Sequence, residues 1–185
     1  MLLSLDFDGV LAQGLHLKQK YAKKWFNLQL EPQDTKKIAF EKKARAAGLD
    51  ISYRQLMDPL NELHIMKYQV DEACLPTLQK LKKEGYELVV TTSRNAHDLP
   101  YAKQFLKHHF GSLITEVYGG RPKEDVMQDI QPLLHLDDDL HKLEPLKAHT
   151  IPVYFRQPEN AHTPTKEIEE VRTWKEFYDV VHILS

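Results

Sequence analysis

Cysteine is nearly absent from this sequence. Cys74 is the only one among 185 residues, so no disulfide forms within the chain and a reducing compartment is the expected setting. It sits with Leu75 and Leu78 on a helical pattern, where a buried, inert thiol is expected. No apolar run approaches the roughly 18 residues of a membrane span. The strand-like opening leaves no room for a cleaved leader, so a cytoplasmic protein is expected. An excess of one charge is missing too: the formal net charge is −2, which gives no basis for a nucleic-acid polymer or an acidic membrane as partner. The 10 histidines are scattered, with no HExxH or comparable spacing to hold zinc. Gly119-Gly120 precedes Lys123 without the GxxxxGK(S/T) of a phosphate loop. Low-complexity tracts and internal repeats are also lacking.

What remains is an ordinary globular composition, 42% apolar and 28% charged, long enough to bury a substantial core. The balanced charge hides an asymmetry. Residues 15–70 carry eleven Lys/Arg against six Asp/Glu, while the rest of the chain carries 14 against 21. A basic segment is inserted in an acidic framework; it reads as a solvated face, or as a surface that attracts anions if it overhangs a phosphate site.

The first stretch is the most informative. Met1-Leu2-Leu3-Ser4-Leu5 is a short apolar run that breaks into Asp6-Phe7-Asp8-Gly9. In an extended chain residues i and i+2 point the same way, so Asp6 and Asp8 are expected to converge beyond the strand end, with Gly9 allowing the turn. Two carboxylates that close repel by about 4 kcal/mol at an effective dielectric of 20. A cation is implied.

Further along, Leu17, Tyr21, Trp25 and Leu28 recur at helical spacing between lysines. A second helix is predicted from about Thr35 to Ala47, ending at Gly48. A third is capped by Ser52 and shortened or kinked by Pro59. This all-helical stretch, residues 15–70, is expected to be a small cap inserted into a core made of residues 1–14 and 71–185. From Asp71 the pattern becomes β/α: helix 71–84, strand 86–91, helix 99–110, strand 113–118, helix 123–130, strand 133–136, helix 140–148, strand 151–155 and helix 174–184. Alternation of this kind predicts a three-layer α/β fold around a parallel sheet, with functional groups at the carboxyl ends of the strands.

Four pieces of the chain, in order, resemble the motifs of the haloacid dehalogenase-like (HAD) superfamily of phosphatases. They are Leu5-Asp6-Phe7-Asp8-Gly9-Val10, Val89-Val90-Thr91-Thr92-Ser93-Arg94, Arg121-Pro122-Lys123 and Leu134-His135-Leu136-Asp137-Asp138. The resemblance implies a Rossmann-like core with a helical cap, and a Mg²⁺-dependent phosphatase. Asp6 would attack phosphorus and form an aspartyl-phosphate; Asp8 would protonate the leaving oxygen and then deprotonate water. Mg²⁺ would be held by Asp6, the main-chain oxygen of Asp8, and the acids of the fourth motif. Asp138 is the expected direct ligand and Asp137 its neighbour, with Asp139 capping the next helix. Thr92, in preference to Thr91, and Lys123 would hold phosphoryl oxygens. Asp8 also argues for phosphate chemistry, because the dehalogenases of the superfamily lack an acid there.

Pro158-Glu159-Asn160 and Val171-Arg172-Thr173-Trp174-Lys175-Glu176 resemble the tail of a 5′-nucleotidase-like branch, which makes a nucleoside monophosphate the first expected substrate among small phosphorylated metabolites. Trp174 is expected to pack the last helix onto the sheet. Trp25, Phe26, Phe40, Tyr53 and Tyr68 are expected mostly in the core of the cap. Two other outcomes share these motifs: a phosphotransferase with a different acceptor, and a HAD-fold binding or regulatory protein without catalysis.

Overall fold

The computed structural model of the protein describes residues 1–165 and 167–185. Strands β1 (Leu2–Leu5), β2 (Glu87–Thr91), β3 (Ile114–Tyr118), β4 (Leu134–Asp137), β5 (Ile151–Phe155) and β6 (Glu169–Val171) form one sheet. Their order is β3-β2-β1-β4-β5-β6, and every pairing is parallel. Leu3 of β1 lies beside Leu88 on one side and Leu134 on the other, all three without exposed surface. A strand covered on both faces tends to a continuous apolar run rather than an alternating one; β1 and β2 read mostly so, whereas β4, Leu-His-Leu-Asp, is buried throughout yet carries two polar side chains. The chain passes from β1 to β2 on one side and later returns to β4 on the other, so strand order reverses at β1. At such a point the carboxyl ends of a parallel sheet open a crevice.

The connections are helices α4 (Cys74–Lys83), α5 (Leu99–Phe110), α6 (Lys123–Ile130) and α7 (Leu140–Leu143), and α8 (Trp174–Leu184) closes the chain. The fold is Rossmann-like α/β, as expected. Trp174 is buried edge-on against Phe155 and Phe177, ring centroids 5.4 and 5.7 Å away, and so fixes α8 to the sheet. Cys74 is fully buried.

Between β1 and α4 the chain forms α1 (Leu15–Phe26), α2 (Lys37–Ala46) and α3 (Tyr53–His64). Paired main-chain bonds between Gln13 and Gln69, 2.8 and 3.1 Å, join the two ends of this stretch. Gly14 has no alternative there, because a Cβ would lie 2.7 Å from the Tyr68 ring. Phe40 and Tyr68 are buried and Trp25, Phe26 and Tyr53 partly so, in line with a core role for most of them.

Several boundaries differ from the sequence reading. The second helix does not begin at Thr35: Pro32–Thr35 is a 3₁₀ turn, Lys36 is extended at φ −85° and ψ 150°, and α2 starts at Lys37. α3 runs through Pro59 to His64 and is not shortened. α4 starts three residues after Asp71, whose side chain accepts from the Ala73 N–H at 2.8 Å and holds a turn. The helix expected over 140–148 is four α-helical residues followed by a 3₁₀ turn, Glu144–Ala148; Pro145 has no N–H to continue the α pattern. β6 was not anticipated, because Glu169-Glu170-Val171 is short and acidic.

Candidate active site

Three carboxylates meet at the carboxyl end of the sheet. Asp6 follows β1, Asp137 ends β4 and Asp138 comes next; their nearest oxygens lie within 4.8 Å of one another, and all three residues are buried. Lys123, the first residue of α6, bridges two of them, with Nζ 2.8 Å from Asp6 Oδ1 and 2.5 Å from Asp137 Oδ2. The other Asp137 oxygen accepts from the Asp139 N–H at 2.9 Å. Asp138 takes a cation from the helical stretch: Lys36 Nζ is 2.5 Å from Oδ2. The extended backbone at Lys36 therefore has a purpose that helix periodicity could not show. Asp139 caps α7, accepting from the His141 N–H at 3.1 Å, as expected.

Asp6 Oδ2 is buried and has no hydrogen-bond partner among the described residues. Three buried carboxylates gathered within 4.8 Å are a set of hard oxygen donors that suits a small, hard divalent cation such as Mg²⁺. The electrostatics agree. Burial pushes the Asp6 carboxyl up, and Asp137 adds to this against the pull of Lys123. Burial likewise raises Asp138 to about 6 despite Lys36, with Asp137 and Asp6 adding to the rise. Asp137 goes the other way: burial would raise it, but Lys123 holds it well below the usual carboxylate range. Lys142 is raised, since the pull of Asp6, Asp137, Asp138 and Asp139 outweighs its own desolvation.

The expected convergence of Asp6 and Asp8 needs correction. β1 ends at Leu5 and Phe7 starts a turn, so strand alternation does not reach Asp8. Its carboxylate is gripped by Arg94 instead, with Nε donating to Oδ2 at 2.9 Å and Nη2 to Oδ1 at 2.8 Å. The guanidinium lies over the Phe7 ring, 4.8 Å from its centroid, where a cation is attracted to the ring face. Burial would raise Asp8, but Arg94 outweighs it and the carboxyl is held below its ordinary value. Gly9 is obligatory: φ is +80° and a Cβ would sit 2.1 Å from Asp138 Oδ2.

The two threonines of the second motif separate clearly. Thr91 is committed to the sheet, its Oγ1 2.9 Å from Ser4 Oγ. Thr92 lies beyond the end of β2, and its Oγ1 accepts only a long bond, 3.3 Å, from the Arg94 N–H. Asn160 braces the site from below. Its Nδ2 donates to the main-chain oxygens of Asp138 and Phe155 at 2.8 and 3.1 Å, and its Oδ1 accepts from the Gln157 N–H at 2.7 Å.

Asp6, Asp137 and Asp138 are thus gathered within 4.8 Å with Lys123 bonded to the first two, and Asp8 is held apart on Arg94. Sequence reasoning missed the Arg94 clamp, Lys36, Lys142 and His135. Only His135 left a usable trace, a single imidazole inside an apolar strand.

The family model for the 5′ nucleotidase, deoxy (pyrimidine), cytosolic type C protein matches residues 1–185. The chain belongs to this family. It is a HAD-type phosphatase by membership. No curated protein matches its sequence. Among solved structures, a HAD hydrolase of Bacillus subtilis shares 11% identity over 98% of each chain, with a TM-score of 0.66. A HAD-superfamily hydrolase of Ehrlichia chaffeensis shares 10% over 99% of this chain and 96% of its own, at 0.61. A haloacid dehalogenase-like hydrolase of Xanthomonas campestris shares 12% over 100% and 95%, at 0.63. At these identities the likeness establishes the shared fold of the nucleotidase-family chain and these hydrolases.

Proposed function

We propose that the protein hydrolyses nucleoside 5′-monophosphates, with pyrimidine deoxynucleotides as the first candidates, by way of a phosphoryl group carried on Asp6. The observation that carries this reading is the state of Asp6. Its Oδ1 is held by Lys123, while Oδ2 is buried, without a partner among the described residues, and beside two further carboxylates. An oxygen so placed is free to form a bond to phosphorus as the bond to the leaving oxygen breaks. The family match supports the substrate class.

Asp6, Asp138 and the main-chain oxygen of Asp8 would hold Mg²⁺, which supplies positive charge to phosphoryl oxygens; the Bacillus hydrolase was solved with magnesium. Lys123 and Thr92 would bind phosphoryl oxygens and offset the charge that grows on them in the transition state. Asp8 gives a proton to the leaving oxygen, then takes one from the water that attacks phosphorus and frees Asp6. Arg94 and that proton compete for one carboxylate. The clamp favours the ionised form that water activation needs, and proton donation needs the clamp to loosen. A cavity of about 260 Å³ beside Gly9, lined by Gln13, His16, Gln19, Gln69 and Gln157 together with Leu15, Pro158 and the acids Asp71 and Glu159, supports an uncharged leaving group with many polar atoms.

A cytoplasmic, reducing setting is part of the proposal, supported by the lone buried Cys74. No helix of the described residues is long and apolar enough to cross a membrane. The test is a hydrolysis panel of nucleoside monophosphates, sugar phosphates and phospho-amino acids, with Mg²⁺ and with chelator. Fastest release of phosphate from pyrimidine deoxynucleotides, lost on chelation, is the expected outcome. Preference for another class overturns the substrate assignment, and full activity in chelator overturns the metal.

A further inference from the structure

His135 is fully buried on β4, two residues before Asp137, in a strand whose other positions are Leu134, Leu136 and Asp137 itself. A buried imidazole needs partners for both ring nitrogens, and this one has them. Nδ1 is 2.9 Å from Ser4 Oγ, which is 2.9 Å from Thr91 Oγ1. Nε2 is 3.3 Å from Lys123 Nζ and 3.4 Å from Asp137 Oδ2. A polar chain thus crosses three adjacent strands beneath the carboxylates and ends on Lys123.

Lys123 sets the direction of every proton in that chain. An ammonium between two carboxylates has only protons to offer, so a lone pair on Nε2 matches it at 3.3 Å; an N–H there would set donor against donor and find only the longer approach, 3.4 Å, to an Asp137 oxygen that Lys123 already holds at 2.5 Å. The ring proton is then on Nδ1 and goes to Ser4 Oγ, and the Ser4 hydroxyl donates to Thr91 Oγ1. Without substrate, Lys123 Nζ lies 2.8 Å from Asp6 Oδ1, 2.5 Å from Asp137 Oδ2 and 3.3 Å from His135 Nε2. We propose that His135, locked by Ser4 as the Nδ1–H tautomer, is a positioning residue. It acts through Lys123, fixing the ammonium on Asp6 Oδ1 so that Oδ2 is the oxygen left free. The consequence for catalysis rests on Asp6 being the nucleophile; the tautomer does not.

The experiment has an arm for each part. Long-range ¹H–¹⁵N correlation spectra of the full chain, with the His135 signals identified by their loss in His135→Gln, report which nitrogen carries the proton. Protonated Nδ1 and bare Nε2 are expected; protonated Nε2, or a mixture of tautomers, overturns the proposal. In turnover of p-nitrophenyl phosphate, His135→Gln presents an amide oxygen where Nε2 stood and keeps kcat close to that of the unaltered chain. His135→Leu offers no acceptor and lowers kcat about 10- to 100-fold, the range for partners that orient site residues from behind, with a smaller change in KM. Equal losses in the two variants, or none in either, overturn the positioning role even where the tautomer is as stated. If the unaltered chain hydrolyses no phosphate ester, the phosphatase mechanism fails instead, and the tautomer result still decides the lock.

Discussion

Replacing Lys123 by methionine keeps an unbranched chain of similar length and removes only the charge and its three donors. The carboxylates it bridges, Asp6 and Asp137, are 1% and 0% exposed, so water cannot take its place. Removing one partner of a buried ion pair typically costs about 3–5 kcal/mol, because the remaining charge is stranded. For a chain of 185 residues each kcal/mol moves Tm by about 2–4 °C, so a fall of about 6–20 °C is expected. The lower part of that range applies if Asp6, whose pKa is already raised by burial, takes up a proton. The assay is thermal unfolding of Lys123→Met near neutral pH in chelator. Adding Mg²⁺ should recover part of the loss by binding the same carboxylates. The double variant Lys123→Met/Asp6→Asn should also recover part, since one stranded charge is gone. An unchanged Tm of Lys123→Met in chelator refutes the reasoning.

Other perturbations separate the remaining parts. In Arg94→Met the Asp8 carboxyl loses the partner that holds it down, so its pKa rises; kcat/KM ends at loss of the leaving group, where Asp8 must carry its proton, so the basic limb of that profile moves to higher pH. An unmoved limb denies Asp8 its proton-transfer role. Asn160→Ala strands two main-chain oxygens, at a cost of roughly 1–3 kcal/mol in stability, and should weaken Mg²⁺ binding measured by calorimetry; unchanged affinity would show that the brace does not act on Asp138. Glu170 is held at about 2, first by its Arg156 hydrogen bonds, with burial opposing and Thr165 and Arg172 adding. Its folded value lies below the unfolded one, so this stabilisation is full above about pH 4.5 and fades as pH falls toward 2. Glu170→Gln should therefore unfold more easily than the unaltered chain at neutral pH and equally near pH 2, and a gap constant across that range would contradict the pairing of β5 with β6 through Arg156.

The parts of the molecule legible in the sequence are those where one local rule dominates. Doubly buried strands stand out as apolar runs, and Leu99–Phe110, Lys123–Ile130 and Trp174–Leu184 begin and end where periodicity says they should. Asp6, Lys123, Asp137 and Asp138 could be gathered because each sits at a strand end or helix start that a parallel sheet brings together. What stayed hidden depends on contacts between distant segments. Lys36 reaches Asp138 across 102 positions and Arg94 reaches Asp8 across 86, and neither pairing leaves a local pattern. The redirected Asp8 shows the limit of the alternation rule: it holds inside a strand and fails where the backbone turns, here one residue past Asp6.

The central claim is that Asp6 carries the phosphoryl group. Rapid acid quenching of the chain during turnover of a pyrimidine deoxynucleoside monophosphate with Mg²⁺, followed by mass spectrometry of its peptides, tests this directly. The account predicts phosphate on the peptide that contains Asp6, and none in Asp6→Asn, which should also release no phosphate while unfolding at a temperature no lower than the unaltered chain. Undiminished phosphate release by Asp6→Asn would contradict it.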